Sequence, residues 1–88
     1  MENLKSTTDI SNSSIQDITY NIDGVTKADN GNYNEALEYF TKAIKNDHYN
    51  FVSYFNRASI KMLIGDIEGA RSDFKKAESL DPVQNFYS

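Results

Sequence analysis

The chain has 88 residues, of which 39% are hydrophobic and 25% are charged, and its formal net charge is −4. A chain of this length forms one small domain, and folding buries roughly 60% of the surface that the unfolded chain exposes. Nucleic acid is an unsuitable ligand, because the sequence is acidic and has no run of lysine and arginine to neutralise phosphates. The absence of cysteine excludes disulfide bonds and thiolate metal sites.

The N-terminal segment is polar, and residues 1–13 are predicted to be a disordered tail. This segment contains no basic stretch followed by an apolar one, and nowhere in the sequence do 18 apolar residues follow one another. The sequence therefore predicts neither a signal peptide nor a membrane contact. We expect a cytoplasmic protein.

The first predicted helix spans residues 14–30. Ser14, with Asp17 three residues later, is suited to a capping box at its start. Its large apolar residues recur at steps of three and four, so they share one helical face. These residues are Ile15, Ile18, Ile22 and Val25.

A tight turn and a second helix over residues 33–46 are predicted next. Gly31 stands where a helix end favours the left-handed conformation, and Asn32 is suited to cap the second helix with Glu35 reaching back. A polar linker over residues 47–50 follows. The inner stripe of the second helix is predicted to consist of Ala36, Leu37, Phe40, Ala43 and Ile44.

The sequence repeats itself at an offset of 34 residues. The identical pairs are Tyr20 and Tyr54, Lys27 and Lys61, Gly31 and Gly65, Ala36 and Ala70, Phe40 and Phe74, Lys42 and Lys76, Ala43 and Ala77, and Asp47 and Asp81. Such a period indicates stacked copies of one supersecondary unit. The second copy is therefore predicted to form helices over residues 51–64 and 67–80, with Pro82 marking the stop.

In these features the sequence resembles a tetratricopeptide repeat protein of a bacterial type, a family built from 34-residue helical hairpins. The residues that carry the resemblance are Tyr20, Gly24, Gly31, Tyr33, Ala36, Phe40 and Ala43, and then Tyr54, Ala58, Gly65, Ala70, Phe74, Ala77 and Pro82. His48, Asp23 and Lys27 depart from the family pattern. The resemblance implies an all-α fold of antiparallel hairpins stacked as a short right-handed α-solenoid. Its domain would span residues 14–84, with repeats over about 17–50 and 51–84, followed by a short tail over 85–88.

The resemblance also implies a concave groove, lined by the first helix of each hairpin, that binds an unidentified protein or peptide. The predicted groove residues are Ile18, Asn21, Val25, Ala28, Val52, Phe55, Asn56, Ser59 and Met62. Asn56 matches an asparagine that holds a partner's C-terminal carboxylate in chaperone-binding members, but Asn21 and Val25 stand at the other first-helix positions of that clamp. We therefore predict that Asn56 and Arg57 are structural, either bridging helices or covering apolar surface with the arginine stem.

The outer face of the second hairpin is predicted to need a cover, either from the C-terminal residues or from a second chain. The residues concerned are Ile67, Phe74, Val83, Phe86 and Tyr87. The alternative to an interaction module is thus a self-associating structural protein, with a homodimer formed through these ends. No enzyme, cofactor or metal is predicted, because the sole histidine, His48, lies in a linker and has no cysteine or second histidine to act with.

Overall fold

A computed structural model of the chain describes residues 2–81, with side chains from Ile15 onward. This part of the chain contains four helices and no strand: α1 (Glu2–Asp29), α2 (Tyr33–Asn46), α3 (Phe51–Leu63) and α4 (Ile67–Leu80). α1 pairs with α2, and α3 pairs with α4, while α3 also packs against α2 and, less extensively, α1. The fold is therefore the predicted all-α stack of two helical hairpins.

The helix bounds lie within one residue of the prediction, except at the start of α1. α2 and α4 have the predicted bounds and α3 ends one residue early, whereas α1 begins at Glu2, so Ser14 lies inside it and the predicted capping box is wrong. Residues 2–13 contain no glycine or proline to interrupt the helix. The backbone there is helical, which differs from the expected disordered tail over residues 1–13, and motion of this segment in solution stays a prediction.

The turns inside the two hairpins share one geometry. Gly31 and Gly65 have φ angles of 82° and 88°, in the left-handed region that glycine adopts without strain. The amide of Asn32 donates to the carbonyl of Lys27 at 2.8 Å, and Asp66 repeats this bond in the second turn, also at 2.8 Å. Each turn therefore satisfies the last carbonyls of its first helix, as a glycine C-cap does.

The caps of the second helices differ between the hairpins. The side chain of Asp66 accepts a hydrogen bond from the amide of Gly69 at 3.0 Å and caps α4. Asn32 makes no such bond at α2, and the carboxylate of Glu35 pairs with the ammonium of Lys27 at 3.0 Å. The predicted reciprocal cap is wrong because the carboxylate that it required binds α1 instead.

The core lies between the helices in two clusters. Phe40 packs with Ala36 and Ile60 in the first cluster. The second cluster joins the two hairpins, since it contains Ile44 of α2, Tyr54 of α3 and Ala77 of α4. The predicted inner stripe of α2 is confirmed, with four of its residues buried and Leu37 half-buried at the edge of the first cluster.

Ala70 should tolerate enlargement far less well than its neighbour Glu68. Ala70 is completely buried and Glu68 is exposed on the same helix. We expect Ala70→Leu to lower the free energy of unfolding by about 1 to 3 kcal/mol through overpacking, and Glu68→Leu to change it by less than about 0.5 kcal/mol. Urea unfolding of both variants measures the difference, and equal midpoints would contradict the orientation of α4.

Candidate interaction groove

α1 presents small and polar residues to the rest of the domain. Asp17, Asn21 and Gly24 are buried and Ala28 is half-buried, at steps of four, three and four. The apolar stripe that predicted the helix lies on another face and remains exposed: Ile15 by 58%, Ile18 by 55%, Ile22 by 59% and Val25 by 43%. α1 therefore packs through its polar stripe and leaves four β-branched side chains uncovered.

A ladder of polar side chains joins α1 to α3. The Nδ2 group of Asn21 donates to the hydroxyl of Ser53 at 2.9 Å, and Nδ2 of Asn56 donates to Oδ1 of Asn21 at 3.2 Å. Nearer the start of α3, Nδ2 of Asn50 donates to the carboxylate of Asp17. Because buried polar groups are costly unless they are hydrogen-bonded, these bonds favour one register of the two helices.

A shallow depression of about 420 Å³ lies between α1 and α3 above this ladder. Its walls are mainly aliphatic and its polar groups are amides and a hydroxyl. No charged side chain lines it. The lining residues, called the groove from here on, are Ile18, Asn21, Ile22, Val25, Thr26, Asn50, Val52 and Asn56.

The structure brings together part of the predicted groove. Ile18, Asn21, Val25, Val52 and Asn56 line it. The predicted residues that do not line it are Ala28, Phe55, Ser59 and Met62. Phe55 meets Phe74 of α4 edge-on instead, with ring centroids 5.5 Å apart. The sequence reasoning missed Ile22, Thr26 and Asn50 as lining residues; the stripe on the first helix already contained Ile22.

Arg57 and Asn56 bridge helices, as predicted, and they do so in different directions. Asn56 reaches α1, whereas Arg57 binds Asp73 of α4 through Nε at 2.7 Å and Nη2 at 2.9 Å. Nη1 of Arg57 also donates to the hydroxyl of Thr41 on α2 at 3.3 Å, and the ammonium of Lys61 lies 3.0 Å from Asp73. Arg57 thus ties α3 to α2 and to α4.

Arg57, Lys61 and Asp73 form a charged network that shifts the pKa values of Asp73 and Arg57. Burial by itself raises the pKa of Asp73, but hydrogen bonds from Arg57 and Lys61 outweigh it and hold the pKa below its ordinary value of 3.8. The hydrogen bond to Asp73 correspondingly raises the pKa of Arg57. Both groups are charged at neutral pH. The side chain of Arg57 is 19% exposed and that of Asp73 is 7% exposed. This ion pair holds α3 against α4, and neither residue lines the groove.

A second cavity of about 440 Å³ opens between α3 and α4 at the far end of the stack. It is called the end slot and is lined by Phe51, Val52, Phe55, Phe74, Ala77, Glu78 and Asp81. Phe74, which was predicted to lie on the face that needs a cover, lines this slot. Ile67, which was predicted on the same face, is exposed but does not line the slot. The other predicted end residues, Val83, Phe86 and Tyr87, lie outside the described residues.

Within residues 2–81 we find no group of three or more histidine, cysteine, aspartate or glutamate side chains arranged to hold a metal ion. In the same part of the chain, no helix combines the length and the apolar character that a membrane crossing requires.

Comparison with known proteins gives one family. The family model described as tetratricopeptide repeat matches residues 20–48 and 52–84. The chain is 40% identical over 57 residues to a tetratricopeptide repeat and J domain-containing co-chaperone, DNJ1, of Fusarium oxysporum f. sp. lycopersici, covering 65% of this chain and 11% of that protein. It is also similar to tetratricopeptide repeat protein 36 of Danio rerio, with 39% identity, covering 67% of this chain and 32% of that protein.

A homologue of protein 36 in Nematostella vectensis is 41% identical over 61 residues, covering 69% of this chain and 34% of that protein. The chain thus spans about a third or less of the length of these relatives. All three relatives are eukaryotic, so the bacterial type suggested by the sequence is not supported. No solved structure matches the chain.

Proposed function

Because the chain belongs to the tetratricopeptide repeat family, we propose that it is a non-enzymatic interaction module that holds a segment of another protein in the groove between α1 and α3. The observation that carries this proposal is the uncovered aliphatic stripe of α1, whose residues Ile18, Ile22 and Val25 form one wall of the groove. Contiguous apolar side chains exposed on a small domain are typical of binding surfaces.

The groove favours a partner segment with aliphatic side chains and no charge at the contact. The ladder already uses the amides of Asn21 and Asn50 to hold the helices together, so these groups give the groove a fixed floor. With no cationic side chain in the lining, the groove lacks the charge-assisted donors that carboxylate or phosphate recognition uses. The co-chaperone among the relatives supports a protein partner, bound here through apolar contacts.

Ile22→Glu is the variant that tests the groove. Its side chain is 59% exposed, so the variant should keep its helical content, while a carboxylate in an apolar contact must be desolvated on binding. We expect affinity capture from the cells that make the protein, read by mass spectrometry, to recover at least one partner with the wild type. The variant should bind that partner at least about tenfold more weakly, a loss of about 1.4 kcal/mol.

The control is Ile67→Glu, which makes the same change at an isoleucine of α4 that is 46% exposed and outside the groove. It should retain the partner with unchanged affinity. Retention of the same partners by Ile22→Glu would contradict the groove, and their loss in Ile67→Glu alone would move the binding surface to α4.

A further inference from the structure

The end slot and the groove meet at one residue of α3. The groove lies between α1 and α3 and the slot between α3 and α4, and the exposed side chain of Val52 lines both. A helix with its side chains is about 10 to 12 Å across, a distance that an extended segment spans in about three or four residues. A segment held in the groove can therefore continue over Val52 into the slot.

The two cavities differ in charge. No charged side chain lines the groove, whereas the slot is lined by two, Glu78 and Asp81, and both are acidic. Among the residues whose side chains are described, 15–81, Glu78 has no cation as a partner. Asp73 on the same helix, by contrast, is paired with two cations. Glu78 therefore gives the slot a negative charge that no described cation neutralises.

Aromatic rings line the slot beside this charge. Phe51, Phe55 and Phe74 contribute to the lining, and the rings of Phe55 and Phe74 meet edge-on with their centroids 5.5 Å apart. The faces of aromatic rings attract cations, and arginine is found over them more often than lysine. A guanidinium group also pairs with a carboxylate through two parallel hydrogen bonds. The rings and the carboxylate therefore favour the same side chain, an arginine.

We propose that the partner segment held in the groove continues over Val52 and places an arginine in the end slot, with its apolar stem against the aromatic rings and its guanidinium at Glu78. This inference rests on the proposed function and adds the sequence class of the partner. The partner segment carries aliphatic side chains for the groove and an arginine about three or four residues away.

The first repeat shows why the slot suits a cation better than a purely apolar occupant. A shift of 34 residues relates Glu78 to Ile44. Ile44 is buried and packs with Tyr54 of α3, so at this position the first hairpin meets an apolar neighbour. A carboxylate at the equivalent position would have to be desolvated against an apolar occupant, at a high cost in free energy. The occupant of the slot therefore needs a positive charge at this point.

A second copy is a poorer occupant of the slot. Two chains that met slot to slot about a twofold axis would bring Glu78 and Asp81 of one copy against the same residues of the other. Each chain also carries a net charge of −4, so this contact would be opposed by like charges. A segment that carries an arginine meets the opposite charge instead.

Selection from a random peptide library displayed on phage, with the full chain as the target, tests the sequence class. We expect the wild type to enrich peptides that combine aliphatic residues with an arginine about three or four residues away. Glu78→Lys reverses the charge in the slot and should enrich peptides with an acidic residue at that place. Enrichment of aliphatic residues without a basic one, or of the same sequences by both proteins, would overturn the proposal.

A synthetic peptide of the sequence enriched by the wild type measures the contribution of the slot. Glu78→Lys should bind it at least about tenfold more weakly, and a peptide with glutamate in place of the arginine should bind that variant as tightly as the original binds the wild type. The control is Glu68→Lys, the same change at an exposed residue of α4 that lines neither cavity. It should weaken binding by less than about twofold. Equal losses in the two variants would overturn the proposal, because net charge alone would then explain them.

Ile22→Glu separates a failure of this inference from a failure of the proposed function. The inference alone fails when Ile22→Glu loses the peptide and Glu78→Lys retains it. Both fail when Ile22→Glu retains the peptide, or when the wild type enriches no peptide. Sedimentation of the free protein tests the other occupant. A mass that doubles as the concentration rises, with peptide binding lost at the same concentrations, would assign the slot to a second copy and overturn the inference.

Discussion

Asp73→Ala should lower the free energy of unfolding by about 3 kcal/mol at neutral pH. The side chain of Asp73 is 7% exposed, and its carboxylate accepts from Arg57 at 2.7 and 2.9 Å and from Lys61 at 3.0 Å. Removing it leaves two cations facing each other without a counter-charge, which in buried pairs costs about 3 to 5 kcal/mol. The lower end applies because Arg57 and Lys61 keep about a fifth of their side-chain surface in contact with water.

The same helix offers an exposed ion pair as the control. Arg71 and Glu68 lie 3.3 Å apart with side chains 61% and 84% exposed, and exposed pairs contribute about 0 to 1 kcal/mol. Glu68→Ala should therefore change the free energy of unfolding by less than about 1 kcal/mol. Urea unfolding of both variants measures the contrast, and losses of equal size would show that Asp73 is as well hydrated as Glu68.

Lowering the pH should remove part of what Asp73 contributes. Its pKa is lower in the folded chain than its ordinary value of 3.8, so its contribution is complete above that value and is lost as the pH falls through the lower folded pKa. As the pH falls below about 4, the free energy of unfolding of the wild type should therefore decrease more steeply than that of Asp73→Asn. Parallel pH profiles for the two proteins would contradict this sign.

The features predicted best from the sequence are those that depend on neighbouring residues. The bounds of α2 and α4 follow from Gly31 and Gly65, which can adopt the left-handed turn conformation, and from alanines that recur on the inner face, such as Ala36 and Ala70. The repeat also transferred these assignments from one hairpin to the other. The helix bounds within each hairpin could therefore be predicted from residues that are close together in the sequence.

The burial of polar residues on α1 depends on distant residues, and for that reason the sequence did not show it. Asp17 and Asn21 are buried because Asn50 and Ser53, more than 30 positions away, supply hydrogen bonds. An apolar stripe ordinarily marks the buried face of a helix, yet here the stripe forms a wall of the groove. The Arg57–Asp73 pair was equally hidden, because its counterparts in the first repeat are Asp23 and Tyr39, which cannot make the same bond.

Phe40→Ala should be the most destabilising of the substitutions considered, with a loss of about 4 kcal/mol in the free energy of unfolding. The ring is 1% exposed and packs with Ala36 and Ile60. On its α1 side it lies so close to Gly24 that a Cβ atom at that position would overlap the ring. No α1 side chain at position 24 is therefore present to fill the space that Phe40→Ala would leave, and the cavity would persist.

Phe74→Ala provides the matched comparison, because Phe74 occupies the same position 34 residues later. Its ring is half-buried and borders the end slot, so its removal should cost roughly half as much, about 2 kcal/mol. Urea unfolding of the two variants in the full chain gives both values. A loss below about 1 kcal/mol for Phe40→Ala would contradict its place in the core. Equal losses would show that Phe74 is covered in solution, because a cavity forms only where the removed ring was enclosed on every side.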